Sequence, residues 1–297
     1  MTLVPRVCVL IAAALLAGCT SASSGGSVAP SGTSPTASTA APSPTVPSTA
    51  PSPTVSPVAF PCDGPAVTVP VYYLGTDQPV SPATFRLFRE FHRVPSCPGG
   101  VIETAVTAML VVPPDDPDYA SYWRPGTSVL STDVTGTQAH VDLSDYTIAE
   151  GAESATVQQL VWTVTAADPT VRRVRLTVDG TTPPTGSLDP AAFDAPRANA
   201  LDTLAHVWIL QPQQESTVGS PVRVRVYGTG YEGNVVLEVF RGDQVVRTTT
   251  VTTMMGGFAL AGTTLRLPPG TYVLKAYNDN GRNAKLQLWD TKDFTVA

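Results

Sequence analysis

Val157-Gln158-Gln159-Leu160-Val161-Trp162-Thr163-Val164 is followed by Asp168-Pro169 and then by Val171-Arg172-Arg173-Val174-Arg175-Leu176-Thr177-Val178-Asp179-Gly180. The reading of this stretch decides the fold class of the first folded region. Apolar residues at 157, 160, 161 and 164 recur at i, i+3, i+4, i+7, which is one face of an α-helix. Ser154 or the nearby Glu153 is placed to cap its start, and Asp168-Pro169 ends it. The next run is rich in β-branched residues, alternates in part, and closes on Asp-Gly, so it reads as a strand.

Working back from that helix, Thr127-Ser128-Val129-Leu130-Ser131 and Gln138-Ala139-His140-Val141-Asp142-Leu143 read as a hairpin around Thr135-Gly136. Ile102, Ala105, Met109 and Val112 repeat at helical spacing until Pro113-Pro114 stops them. Residues 67–74 read as a strand in which Pro70 signals an edge or a bulge. Residues 85–94 fit neither period cleanly and are expected to form a strand. Two strands, a helix, a hairpin, a helix and a strand make an α+β unit over residues 60–180.

The strings V-P-V-Y-Y-L, L-F-R-E-F-H-R-V, T-A-V-T-A-M-L, G-T-S-V-L-S-T-D-V-T-G-T-Q-A-H-V-D-L-S and V-R-R-V-R-L-T-V-D-G, in that order over residues 67–180, resemble a GerMN domain. That family occurs in sporulation and spore-germination lipoproteins and in envelope lipoproteins. The resemblance implies an α+β fold similar to ring-building modules, with no catalytic residues to carry over. Cys62 and Cys97 lie outside its pattern.

Residues 181–205, with Pro183-Pro184 and an Ala/Asp-rich run, are expected to form an inter-domain linker with at most one helical turn. From 206 to 297 the pattern is all-β. Val222-Arg223-Val224-Arg225-Val226-Tyr227 alternates strictly, and Gly242-Asp243 marks a hairpin. About seven short strands between Gly/Pro turns argue for a sandwich. The string Q-P-Q-Q-E-S-T-V-G-S-P-V-R-V-R-V-Y-G-T-G-Y-E-G-N-V is similar to the immunoglobulin-like domain of bacterial spore germination. Pro212, Val218, Ser220, Pro221, Val222, Gly228 and Glu232 match that pattern. Tyr231 replaces its Phe, Gly230 and Gly233 replace alanines, and Phe258 stands where a Trp is expected.

At the amino terminus, Arg6 precedes an apolar run from Val7 to Leu16, too short to span a bilayer, which takes about 20 residues. Leu16-Ala17-Gly18-Cys19 then resembles the bacterial lipobox. This implies a signal peptide over 1–18, a diacylglycerol and a further acyl chain (palmitate-type) on Cys19, and stable membrane anchoring. Residues 19–59 hold the lipidated cysteine and a Ser/Thr/Pro-rich run with the direct repeat A-P-S-P-T-V at Ala41 and Ala50. This composition is expected to be a disordered tether reaching on the order of 100 Å. The expected location is extracytoplasmic, at the cell membrane.

The precursor has a net charge of −6. That excludes nucleic acid as a partner, which requires a basic face. Cys62 and Cys97 are expected to form a disulfide in an exported protein; metal fails for want of a C-x-x-C or a histidine cluster. No nucleophile elbow or phosphate loop occurs in the sequence. His92, His140 and His206 fall on separate elements. Asp115-Asp116-Pro117-Asp118 reads as a solvated loop rather than a calcium site, and Asn278-Asp279-Asn280-Gly281 as a turn. No catalytic residue, metal or cofactor is therefore expected.

Tyr119, Tyr122, Trp123 and Arg124 combine aromatics with arginine, as interface anchors do, or they lid the first helix. Glu232 either meets a partner or holds its own loop. The expected function is a non-catalytic, lipid-anchored envelope protein that assembles with itself or binds an envelope protein. The alternatives are a lipoprotein binding glycan or peptidoglycan fragments, and an enzyme not recognised from its motifs.

Overall fold

The computed structural model describes residues 59–76, 85–148, 151–183, 188–278 and 289–297. The signal, Cys19, most of the tether and the turn after Asn278 lie outside these. The described residues belong to one compact unit, Ser56–Ala297.

Its first half has three layers. Strands β1 (Ala66–Thr76) and β2 (Phe85–Pro95) pair antiparallel without a bulge, with Pro70 opposite Phe91. Helices α1 (Gly100–Val111) and α2 (Glu153–Ala167) form the middle layer. The third layer is a sheet in the order β3 (Val129–Thr135), β4 (Gln138–Leu143), β5 (Arg173–Val178), β6 (Asp194–Ala195). β4 and β5 run parallel, which is why a helix, α2, connects them. The β3–β4 hairpin turns at Gly136, whose φ of 62° suits glycine.

Because sheets cover both sides, the helices are buried on more than the stripes seen in the sequence. Thr156, Gln159, Thr163 and Thr165 of α2 are buried too. Two of them serve β1. Thr163 Oγ1 accepts from the Tyr72 amide at 3.1 Å, and Gln159 Nε2 donates to the Tyr72 carbonyl at 2.7 Å. Two side chains four residues apart on one helix face thus satisfy backbone groups of β1 that no third strand reaches. Neither Ser154 nor Glu153 caps α2: the cap is Ala152, with no side-chain bond.

The disulfide Cys62–Cys97 is present and ties the entry of β1 to the start of α1.

The 181–205 segment is not a plain linker. A short 3-10 turn, Pro190–Phe193, buries Phe193 in the core of the α+β domain, and β6 extends its sheet. The expected single helical turn is α3 (Ala200–Thr203). Ala205 then donates to the Leu87 carbonyl at 3.0 Å, so the segment leaves along β2.

The second half is a sandwich. One sheet has the order β11 (Gln244–Thr252), β10 (Asn234–Arg241), β13 (Gly270–Asn278), β14 (Trp289–Val296), β8 (Ser216–Val218). The other has the order β12 (Ala259–Leu265), β9 (Val222–Gly228), β7 (Val207–Gln211). β8 is only three residues long, too few to show a period in the sequence. Period-two alternation points Val222, Val224 and Val226 into the core and Tyr227 outward. Likewise Val207 and Ile209 enter the sandwich core, whereas Trp208 and Leu210 pack against the α+β core. The outer face of the smaller sheet is therefore where the domains meet. No described helix is long and apolar enough to cross a membrane.

Candidate functional site

The densest polar chemistry in the described residues lies at that junction. Strand β14 alternates, and its buried phase reads Asp290, Lys292, Phe294, Val296. Phe294 and Val296 fill the sandwich core. Asp290 and Lys292, farther toward the start of the strand, meet the loop after α1. Tyr119 donates its hydroxyl to Asp290 Oδ1 at 2.7 Å, and the Ile209 amide donates to Asp290 Oδ2 at 2.6 Å. Lys292 Nζ donates to Asp116 Oδ2 and, at 3.2 Å, to the Tyr119 oxygen. The same ammonium stands 4.4 Å over the Tyr119 ring. At the rim, Thr291 donates to Asp118 Oδ2 at 3.0 Å. Burial drives the Asp290 carboxyl up to about 6 against the pull of Lys292, and drives the Tyr119 phenol well above its ordinary value.

Asp115-Asp116-Pro117-Asp118 is therefore not simply a solvated loop. Asp116 is 1 % exposed and bears the main ion pair of the junction. The reason is tertiary: an acidic loop is buried because a lysine from a distant strand neutralises it.

The four residues singled out as interface anchors separate. Tyr119 is buried at the junction, stacked on Phe88 with ring centroids 4.3 Å apart. Trp123 is buried in the α+β core, near Tyr146. Tyr122 is half-buried against Phe85, ring centroids 5.0 Å apart. Arg124 is exposed and pairs with Asp145 at 3.0 Å. Glu232 is exposed at a positive φ of 55°. Asp290 and Lys292 escaped the sequence reading. Their signal was two charged residues in the inward phase of the last strand.

The histidines serve the fold. Tyr73 gives its one hydroxyl proton to the Val112 carbonyl at 2.9 Å, so its oxygen accepts from His92 Nε2 at 3.1 Å. Glu90, 3.2 Å from that nitrogen, also takes the amides of Asp115 and Asp116. Glu90, His92 and Asp115 are close enough to share an ion. His92 Nε2 instead points its hydrogen bond at the Tyr73 hydroxyl and Glu90, which ties the trio to the fold.

On the four-stranded sheet, His140 of β4 lies 3.2 Å from Asp133 and 2.8 Å from Thr177 Oγ1. Thr177 is 2 % exposed and donates to Asp142 at 2.6 Å. A buried hydroxyl whose proton already goes to a carboxylate is not poised as a nucleophile. His206 Nε2 lies 3.0 Å from the Leu201 carbonyl.

The family described as sporulation and spore germination (Germane) matches residues 70–183, and the immunoglobulin-like domain of bacterial spore germination (Gmad2) matches residues 206–283. The chain carries a GerMN-type domain followed by a spore-germination immunoglobulin-like domain. Neither family is described by an enzymatic activity.

Among solved structures, the tandem GerMN domains of the sporulation protein GerM from Bacillus subtilis are similar at 14 % identity and a TM-score of 0.37, covering 45 % of this chain and 46 % of that one. The match thus spans under half of that chain's length. The first GerMN domain alone is similar at 18 % identity and TM-score 0.30, covering 46 % of this chain and 96 % of that one. A putative lipoprotein from Clostridium perfringens is similar at 18 % identity and TM-score 0.26, over 40 % and 78 % of the two chains. No curated protein matches the chain significantly.

Proposed function

We propose that this GerMN/immunoglobulin-like protein is a non-catalytic component of the cell envelope, lipid-anchored at Cys19 outside the cytoplasmic membrane, acting as an assembly or protein-interaction module. The observation that carries the reading is where apolar residues remain in solvent. Leu130 and Val134 lie on β3, Val245 and Val246 on β11, and Leu260 on β12, each about half exposed. All three strands end their sheets. A terminal strand presents unpaired amides and carbonyls, and apolar residues on it favour pairing with another chain. The L-A-G-C string and the Ser/Thr/Pro run support the tether.

In-cell crosslinking after labelling with an alkyne palmitate analogue tests both parts. The expected result is labelled protein in the membrane fraction, crosslinked species that diminish in Leu130→Lys/Val134→Lys, and no label in Cys19→Ala. Unlabelled wild type would overturn the anchor, and crosslinking indifferent to all three edges would overturn the interaction role. A second reading, binding of glycan or peptidoglycan fragments, is favoured by one feature of the junction.

A further inference from the structure

A groove of about 530 Å³ opens beside the junction, within the usual size range of small-molecule sites. Its walls bring together Tyr72 of β1, Arg89 of β2, Trp162 of α2, Arg172, Arg197 and Tyr227 of β9. Both domains contribute, and three of these six residues are cations in a chain of net charge −6. Among the described residues, none of the three arginines stands in an ion pair with a carboxylate. Arg172 is exposed, and the other two rest on rings and a hydroxyl. Arg89 lies 5.6 Å from the Tyr227 ring centroid and Arg197 4.4 Å from that of Trp162; Arg197 Nε donates to Thr165 Oγ1 at 2.5 Å.

The uncompensated charge has consequences. Burial, and then repulsion from Arg89 and Arg172, pull the Arg197 guanidinium below its ordinary value, with only tyrosines opposing. Arg89 Nε and Trp162 Nε1 are buried donors without a hydrogen-bond partner. Like charges held together and donors left unpaired both cost stability, and a bound oxyanion relieves the first. A guanidinium set beside a ring rather than a carboxylate keeps N–H donors for a carboxylate or phosphate ligand.

We propose that this groove binds a small ligand carrying a carboxylate or phosphate on a sugar ring. The arginines take the oxyanion. The half-buried Tyr227, beside the largely buried Tyr72 and Trp162, gives the sugar body ring surface, and the groove's hydroxyl and guanidinium groups suit a hydroxylated ring better than an apolar one. Because Tyr227 belongs to the sandwich and the other five residues to the first domain and its exit segment, the ligand bridges the two domains. The proposal stands whether or not the chain is lipid-anchored, so its failure would leave the envelope reading untouched.

Calorimetric titration of the full chain in detergent tests it, with glucuronic acid, glucose phosphate, glucose and inorganic phosphate as probes. At least one anionic sugar is expected to bind, and to bind about tenfold or more tightly than glucose or inorganic phosphate, with affinity falling as salt rises. Arg172→Glu/Arg197→Glu is expected to weaken that binding by about tenfold or more, with thermal unfolding as the check on its fold. Arg172→Glu alone is expected to give a smaller loss, and serves as the variant if the double one is unstable. Absence of binding by both anionic sugars would overturn the proposal. So would affinity unchanged in both variants, or inorganic phosphate bound as tightly as glucose phosphate.

Discussion

Tyr119 and Asp290, 171 residues apart, meet in a buried hydrogen bond of 2.7 Å that joins the loop after α1 to the last strand of the sandwich. The phenol also accepts from Lys292, so one side chain links the anion and the cation of the junction. The junction is therefore sensitive to the loss of single atoms. Tyr119→Phe removes one oxygen, leaves Asp290 Oδ1 without that donor, and is expected to cost about 1.5–3 kcal/mol in urea unfolding. Paired with Asp290→Asn in a double-mutant cycle, it should show a coupling of about 1 kcal/mol or more. Additivity would mean that the bond contributes nothing beyond packing.

Asp290 also sets a pH dependence. Its folded carboxyl is raised to about 6, above the unfolded value near 4, so the folded state binds its proton more tightly. The contribution to stability is present below about pH 4 and is lost as pH rises through about 6, by on the order of 3 kcal/mol. The difference in unfolding free energy between Asp290→Asn and wild type should accordingly shift in favour of the variant over that window. A difference independent of pH would show that Asp290 titrates as an ordinary carboxyl.

Lys292→Met keeps most of the length of the side chain and removes its charge. Asp116 and Asp290 then remain buried without their cation, and a cost of about 3–5 kcal/mol is expected from chemical denaturation. Restoring the balance with Asp116→Asn should recover part of it. A variant as stable as wild type would show that the ion pair is offset by its own desolvation.

Trp208 faces away from its own sandwich and packs in the α+β core, close to Tyr227 and Phe258. Trp208→Ala should cost about 3–5 kcal/mol. It should also divide a single calorimetric transition into two, one per domain. A variant that still melts in one transition would place the coupling elsewhere.

The Cys62–Cys97 bridge spans 35 residues. Reduction, or Cys62→Ser with Cys97→Ser, should lower stability by about 3–4 kcal/mol through release of the unfolded chain. Thermal unfolding with and without reductant measures it, and the double variant should be insensitive to reductant.

Much of this protein was legible in its sequence because the deciding signals are local. The stripe at Val157, Leu160, Val161 and Val164 and the alternation of residues 222–227 report how a short segment meets a core, and neighbouring residues alone set such periods. The cysteine pair was legible for the same kind of reason: few thiols allow few pairings. Segments without a period were read less well, as with β8 and the buried Phe193 in the supposed linker.

What tertiary structure alone decided is which polar groups lose water together. Asp116 reads as solvated until Lys292 arrives from 176 residues away, and Arg89, Arg172 and Arg197 are unremarkable singly. Spacing along the chain determines which face a side chain occupies. Desolvation and charge pairing depend on which other face is laid against it, and only the docking of the two domains determines that.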